Sequence, residues 1–340
     1  MHNFLILLLS LLLIIFSSSL FCNALEHLGE KLGISEGVTG SIFAAVGTAL
    51  PETIIPILAV LSPHNGNTNA EIGIGAILGA PLMLSTLSLF VMAASILYQR
   101  GLTGRIAPEP RGLQRDLKYF LFGYGLAFIA IFVQSLSWHS FFNFILIIAL
   151  GLSYFIYLLL TIKDSAKLVE SGHTTTAGDK LFLQHFGLKV NKYSIFLQLI
   201  FGLLILIYCA EIFIEAINSI STVYNISAFI ISLIIIPIAT ELPEKINSVL
   251  WIRKGKDTLA IGNITGAMVF QGTLLPIVGI IFTDWTLTSP LHLASIILTV
   301  IATGWLYWQA RRQQLQVWHL GINGLLYLIN LAICAYFFKG

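Results

Sequence analysis

The chain has 340 residues, 57% of them apolar and only 10% charged, with a mean hydropathy of +0.89. That composition excludes an ordinary soluble chain and marks a polytopic membrane protein. The formal net charge of +2 says little as a total, because the basic residues are confined to alternate loops. Three cysteines, Cys22, Cys209 and Cys334, lack any paired spacing, which argues against a disulfide framework and against a zinc site.

Apolar runs of about 20 residues, enough to cross a hydrocarbon core of roughly 30 Å, are read at ten places. They centre near Leu12, Pro51, Leu82, Ala127, Leu150, Leu206, Leu242, Phe270, Leu298 and Leu328. The first, from Phe4 to Phe21, has a long apolar core and no basic leader, so it reads as a spanning helix and not as a secretory signal. One long polar connection, from Asp164 to Lys192, divides the chain. The expected organisation is a five-helix half over residues 1–163, a cytoplasmic loop over 164–193 and a second five-helix half over 194–340.

Of the 18 Lys and Arg residues, all but Lys245 and Lys339 fall in or beside the loops that follow the odd-numbered runs. By the positive-inside rule those loops are cytoplasmic, so both termini face outside. Halves with an odd number of helices then insert in opposite senses, which invites a search for an inverted repeat. Gly33-Ile34-Ser35 aligns with Asn225-Ile226-Ser227, 192 positions later, and without a gap Gly47 to Glu52 lands on Ala239 to Glu244. A second block follows in the same order, with Ile74 to Ala80 lying over Ile261 to Ala267. The fold class expected is therefore an all-α membrane protein of ten transmembrane helices arranged as two inverted five-helix repeats.

The chemistry concentrates in the first block and its twin. Glu241, Glu244 and Lys245 place three ionisable groups within five residues of an apolar run, at a cost of roughly 2.5 to 3.5 kcal/mol each at a helix centre. Pro51 and Pro243 each precede a glutamate, so carbonyls upstream lose a regular donor, which a membrane tolerates only where the backbone faces protein or a polar cavity. Freed carbonyls, the hydroxyl of Thr48 or Thr240 and the carboxylate of Glu52 or Glu244 make an all-oxygen set suited to hard cations such as Ca²⁺ or Na⁺. Two opposed carboxylates balance one Ca²⁺, or take protons or Na⁺ when it leaves. The Gly75-xxx-Gly79 and Gly262-xxx-Gly266 spacings read as close helix packing against the Pro-Glu helices.

These blocks resemble the two alpha repeats of the sodium/calcium exchanger (calcium/cation antiporter) superfamily, which typically read Gly-Thr-Ser-Leu-Pro-Glu and then Gly-Asn-x-x-Gly-Ser-Asn-x-x-Asn or Asp. The resemblance implies alternating access, with Ca²⁺ and a coupling ion sharing sites lined by Glu52, Glu244, Thr48 and Thr240. Several positions depart from the pattern. Ala49 and Glu241 replace the motif serines, Ala80 and Ala267 replace those of the following helices, Ala76 replaces an Asn that Asn263 keeps, and Leu84 and Gln271 stand where the family has Asn or Asp. Glu241 and Gln271 therefore join the candidate metal ligands, three-sodium coupling is in question, and proton coupling is a serious alternative. Lys245 has no counterpart in the motif. It either neutralises Glu241, four residues before it, or approaches Glu244 as a tethered substitute for one coupling cation.

Weaker features read as interfacial. Glu211 and Glu215 fit solvation at a membrane boundary, as do His27, His64 and His139, and the basic stretch from Arg100 to Lys118 fits attraction to anionic lipid. No His-Glu-x-x-His pair and no aspartate pair occurs in the spans, so an intramembrane enzyme is not expected. The expectation is a secondary antiporter for Ca²⁺ against Na⁺ or H⁺, the alternative being a non-transporting or altered-ion relative. No cofactor and no nucleic-acid partner is expected. The partners are the bilayer and inorganic cations, and economy of length suggests a prokaryotic inner membrane.

Overall fold

The computed structural model describes residues 2–31, 50–61, 66–134, 138–169, 180–287 and 289–338. Twelve α-helices run through them: α1 (His2–Lys31), α2 (Leu50–Leu61), α3 (Gly66–Met83), α4 (Leu89–Arg100), α5 (Pro110–Val133), α6 (His139–Val169), α7 (Lys192–Tyr224), α8 (Ala228–Thr240), α9 (Leu242–Arg253), α10 (Asp257–Phe282), α11 (Pro290–Arg312) and α12 (Val317–Phe338). A π-helical turn, Leu84–Ser88, joins α3 to α4, so that Thr68–Arg100 forms one continuous apolar span. Among the described residues eight helices are long and apolar enough to cross a membrane, and Glu52–Leu61 and Ala228–Ile238 are shorter apolar helices. The protein is an all-helical, multi-pass membrane protein.

Local chemistry sets the helix ends. Pro110 opens α5, where a missing N–H costs nothing, and the Glu109 carboxylate accepts from the Arg111 and Gly112 amides. Asn191 and Ser194 exchange reciprocal bonds in a capping box at the start of α7, and Asn225 closes that helix in the left-handed conformation at φ 51°.

Two apolar cores share their middle. One gathers α1, α2 and α7 around Ile14, Ile55, Leu206 and Phe213; the other gathers α4–α6 and α10–α12 around Leu117, Phe120, Met268 and Leu306; α3 and α8 contribute to both. In hydrocarbon, helices associate through close packing, which favours small residues at the contact. A Cβ on Gly79 would run into the Leu233 carbonyl and come within 2.8 Å of Pro237 Cγ, and one on Gly75 would meet Ser232 Oγ and the Phe229 carbonyl. The first glycine pair thus seats α3 on α8, the helix before the Leu-Pro-Glu helix α9, so the close packing read from its spacing is present, while the same expectation is corrected for the second pair. For the second pair, among the described residues nothing lies within 4 Å of a Cβ on Gly262, and only Tyr157 Oη, at 3.5 Å, approaches one on Gly266.

The two Leu-Pro-Glu helices have matching bounds. α2 and α9 are each 12 residues long, and Leu50 and Leu242 open them at the sequence spacing of 192. In the second block α8 and α9 are separate helices with Glu241 at the joint. Pro243 has no N–H to return to the Ala239 carbonyl, so the helix stops and restarts.

At the end of the bundle where α4 stops, Arg100 forms a two-pronged pair with Asp257, Nη1 to Oδ2 at 2.9 Å and Nη2 to Oδ1 at 2.8 Å, and donates to the Ile252 carbonyl at 2.8 Å. The expectation that Arg100 attracts anionic lipid is therefore corrected: its guanidinium is used within the protein, in the paired fork geometry that a carboxylate favours. His27 is corrected too. It is buried in α1, with Nδ1 3.8 Å from Glu30 Oε2, and does not sit at an exposed loop. His139, Glu211 and Glu215 are exposed, while His64 lies outside the described residues.

Candidate cation site

Glu52 and Glu244 are each the third residue of a helix and lie in its first turn, where unpaired amides and the helix dipole favour negative charge. They are only 3% and 2% exposed. Glu52 interacts electrostatically with Glu244, Glu241 and Lys245, so the carboxylate of the first block is brought to those of the second. Thr240, Glu241 and Gln271 are buried as well, whereas Thr48 lies outside the described residues.

Glu241, with no exposure at all, is the centre of the second block. Its Oε1 accepts from Gln271 Nε2 at 3.4 Å, and its Oε2 lies 3.7 Å from Lys245 Nζ. Lys245 pairs with Glu241, and it interacts electrostatically with Glu244 and Glu52 as well. A helical side chain points back toward the N-terminus of its helix, which carries Nζ over the joint, where it donates to the Pro237 carbonyl at 3.1 Å and the Ile238 carbonyl at 3.4 Å. Thr240 spends its proton on the Ile236 carbonyl at 3.0 Å, leaving its oxygen lone pairs as acceptors.

Among the described residues, three buried acceptor oxygens here, Glu52 Oε2, Glu241 Oε2 and Gln271 Oε1, have no donor within hydrogen-bond distance, Lys245 Nζ standing 3.7 Å from Glu241 Oε2. An orphaned buried acceptor costs roughly 1–3 kcal/mol, so each of these oxygens calls for a partner such as a water, a proton or an ion. With every group ionised, the carboxylates of Glu52, Glu241 and Glu244 against the ammonium of Lys245 leave two negative charges, the amount one divalent cation neutralises. Among the described residues no group of three or more His, Cys, Asp and Glu is arranged to hold a metal on its own.

Other contributors become visible only in three dimensions. Asn263 of α10 donates to the Glu244 carbonyl at 3.1 Å and to Ser248 Oγ at 3.0 Å, clamping α10 to the first turns of α9. Ser248 lies one helical turn beyond Glu244, a spacing that could have flagged it. Tyr327 of α12 is buried and interacts with Glu241. Further along the bundle, Asp116 of α5 accepts from Thr265 Oγ1 at 2.7 Å and Tyr157 Oη at 3.2 Å, with Arg115 Nε 3.8 Å away. In the sequence it is hidden among basic residues, and nothing short of its burial distinguishes it.

Comparison with known proteins places the chain in a family. The sequence profile of the sodium/calcium exchanger protein family matches residues 2–163 and 194–336. The inner membrane protein YrbG of Escherichia coli is 26% identical over 271 residues, spanning 78% of this chain and 75% of YrbG. The putative antiporter CaxA of Alkalimonas amylolytica is 25% identical over 276 residues, spanning 80% of this chain and 78% of CaxA. Among solved structures, the H⁺/Ca²⁺ exchanger CAX shares the fold with a TM-score of 0.75 at 17% identity, over 97% of this chain and 82% of CAX. The sodium-calcium exchanger NCX_Mj does so with a TM-score of 0.60 at 22% identity, over 98% of each chain. The chain is a member of the sodium/calcium exchanger family.

Proposed function

We propose that the protein is a secondary antiporter that moves Ca²⁺ against Na⁺ or H⁺ by alternating access. The observation that carries the reading is the set of buried oxygens of Glu52, Glu241 and Gln271 that have no hydrogen-bond donor among the described residues. Glu52 and Glu244 hold the divalent cation from opposite repeats, and Glu241, Gln271 and the hydroxyls of Thr48 and Thr240 supply further oxygens. The names of CaxA, CAX and NCX_Mj agree with this class of activity.

The architecture proposed is ten spanning helices in two inverted repeats. α2 and the α8–α9 pair, too short for a simple span as single helices, each carry a Pro-Glu start and bring the eight long spans to ten. The two repeats are residues 1–163 and 194–340, joined by the loop over 164–193. Both termini face outside, in a prokaryotic inner membrane. The coupling follows from electrostatics. An empty site of net charge minus two in a low-dielectric interior costs several kcal/mol per uncompensated ion, so the protein changes its facing only when loaded with Ca²⁺ or with the ions exchanged for it.

The test is uptake of radioactive Ca²⁺ into proteoliposomes, first under an imposed Na⁺ gradient and then under a pH gradient. Uptake driven by either one is expected. Uptake under neither, with no Ca²⁺ binding to the purified protein, removes calcium antiport and leaves a non-transporting relative.

A further inference from the structure

We infer that Lys245 is a built-in cation: its ammonium occupies a monovalent-cation position at the α8–α9 joint, and removing it opens that position to Na⁺. The inference rests on the proposed function only for the location of the site.

The position has the chemistry of an alkali-ion site. Its donors are the Pro237 and Ile238 carbonyls, 3.1 and 3.4 Å from Nζ, and the Glu241 carboxylate at 3.7 Å. Hard monovalent cations take this kind of oxygen set. The carbonyls belong to the last turn of α8, just before the break at Pro243, and the helix end concentrates partial negative charge there. The twin block has Ala49 and Thr53 where this one has Glu241 and Lys245, so the extra carboxylate and the extra ammonium occur as a set. Charge bookkeeping agrees. With every carboxyl ionised, Lys245 leaves the cluster of Glu52, Glu241 and Glu244 at minus two, the charge of one Ca²⁺; without it the cluster would be at minus three, balanced by Ca²⁺ and one additional monovalent cation. A tethered ammonium also competes at high effective concentration against free ions, which keeps Na⁺ out of the native site.

The plain alternative is that Lys245 only caps α8 by binding its last carbonyls. Binding of radioactive Na⁺ to purified Lys245→Met separates the two, with Ca²⁺ binding measured in parallel. The expected result is one saturable Na⁺ site per chain, at least about tenfold tighter than in the wild type. It should be absent from Lys245→Arg and abolished again in the Glu241→Gln/Lys245→Met double variant. A folded Lys245→Met that binds no more Na⁺ than the wild type overturns the inference. If the variant is fragile, thermal stability in NaCl and in N-methylglucamine chloride decides: selective rescue by Na⁺ supports the cation position, and equal loss in both salts shows a helix cap only. Absence of Ca²⁺ binding in wild type and variant alike would instead count against the antiporter reading, whatever Na⁺ does.

Discussion

The Leu-Pro-Glu helices α2 and α9 have the same length and the same opening residues, and each presents a buried carboxylate from its first turn. They differ in what stands around that carboxylate. α9 is preceded by Glu241 and carries Lys245, whereas the corresponding residues at α2 are Ala49 and Thr53. In the proposed antiporter, a cation held between opposed carboxylates would account for the shared part. The unshared part adds a second charge of each sign next to one carboxylate only, so two related blocks are given unequal electrostatic work.

The largest effect is expected where the helices agree. Glu52→Gln and Glu244→Gln each remove one charge from a divalent site, and each should lower Ca²⁺ transport by about a hundredfold or more, the equivalent of ~2.7 kcal/mol. Equal losses in vesicle uptake support the twin relation. A Glu52→Gln variant that keeps wild-type transport would break it.

Next come the residues that differ. Glu241→Gln leaves the Lys245 ammonium buried without its carboxylate, and breaking a buried pair from one side costs about 3 kcal/mol or more. Replacing both, as Glu241→Ala/Lys245→Thr, gives the second block the side chains of the first and should cost only about 1 kcal/mol. Thermal unfolding of the three proteins in one detergent measures this. A double variant as unstable as the single one would mean that Glu241 is held by its bond to Gln271 and not by Lys245.

The glycine pairs extend the comparison to the following helices. Gly79→Ala drives a methyl group against the Leu233 carbonyl, backbone that cannot swing aside, and should destabilise by about 2 kcal/mol. Gly266→Ala meets only the Tyr157 hydroxyl at ordinary contact distance and should be neutral or stabilising by up to ~1 kcal/mol through helix propensity. Equal destabilisation would show that α10 is packed as tightly at Gly266 as α3 is at Gly79.

What could be read in advance follows from the range of each interaction. Proline breaks, small-residue spacings and the duplicated Pro-Glu blocks are local patterns, and the sequence carried them. Five of the six site residues singled out, Glu52, Thr240, Glu241, Glu244 and Gln271, are buried, and the sixth, Thr48, lies outside the described residues. The Arg100–Asp257 pair joins residues 157 apart, and the Asp116–Thr265 bond joins residues 149 apart. No periodicity links such partners, so neither contact is legible in the sequence. The Lys245–Glu241 pairing was legible from its spacing. That the same ammonium also takes two carbonyls of α8 was not, because it depends on how the chain turns at the joint.

The smallest effect concerns the one amide that the second glycine-rich block keeps and the first has lost. Asn263 binds both the Glu244 carbonyl and Ser248 Oγ, while its counterpart Ala76 is packed in the apolar core. A hydrogen bond of this kind contributes about 1 kcal/mol net, so Asn263→Ala should loosen the first turns of α9 and weaken Ca²⁺ binding about fivefold. Asn263→Asp separates a clamp from a ligand. A carboxylate has no N–H for the Glu244 carbonyl and sets oxygen against oxygen, so a clamp predicts weaker binding than in Asn263→Ala. If Asn263→Asp instead tightened Ca²⁺ binding, position 263 would face the cation directly, and the two blocks would differ in their ligands as well as in their charge.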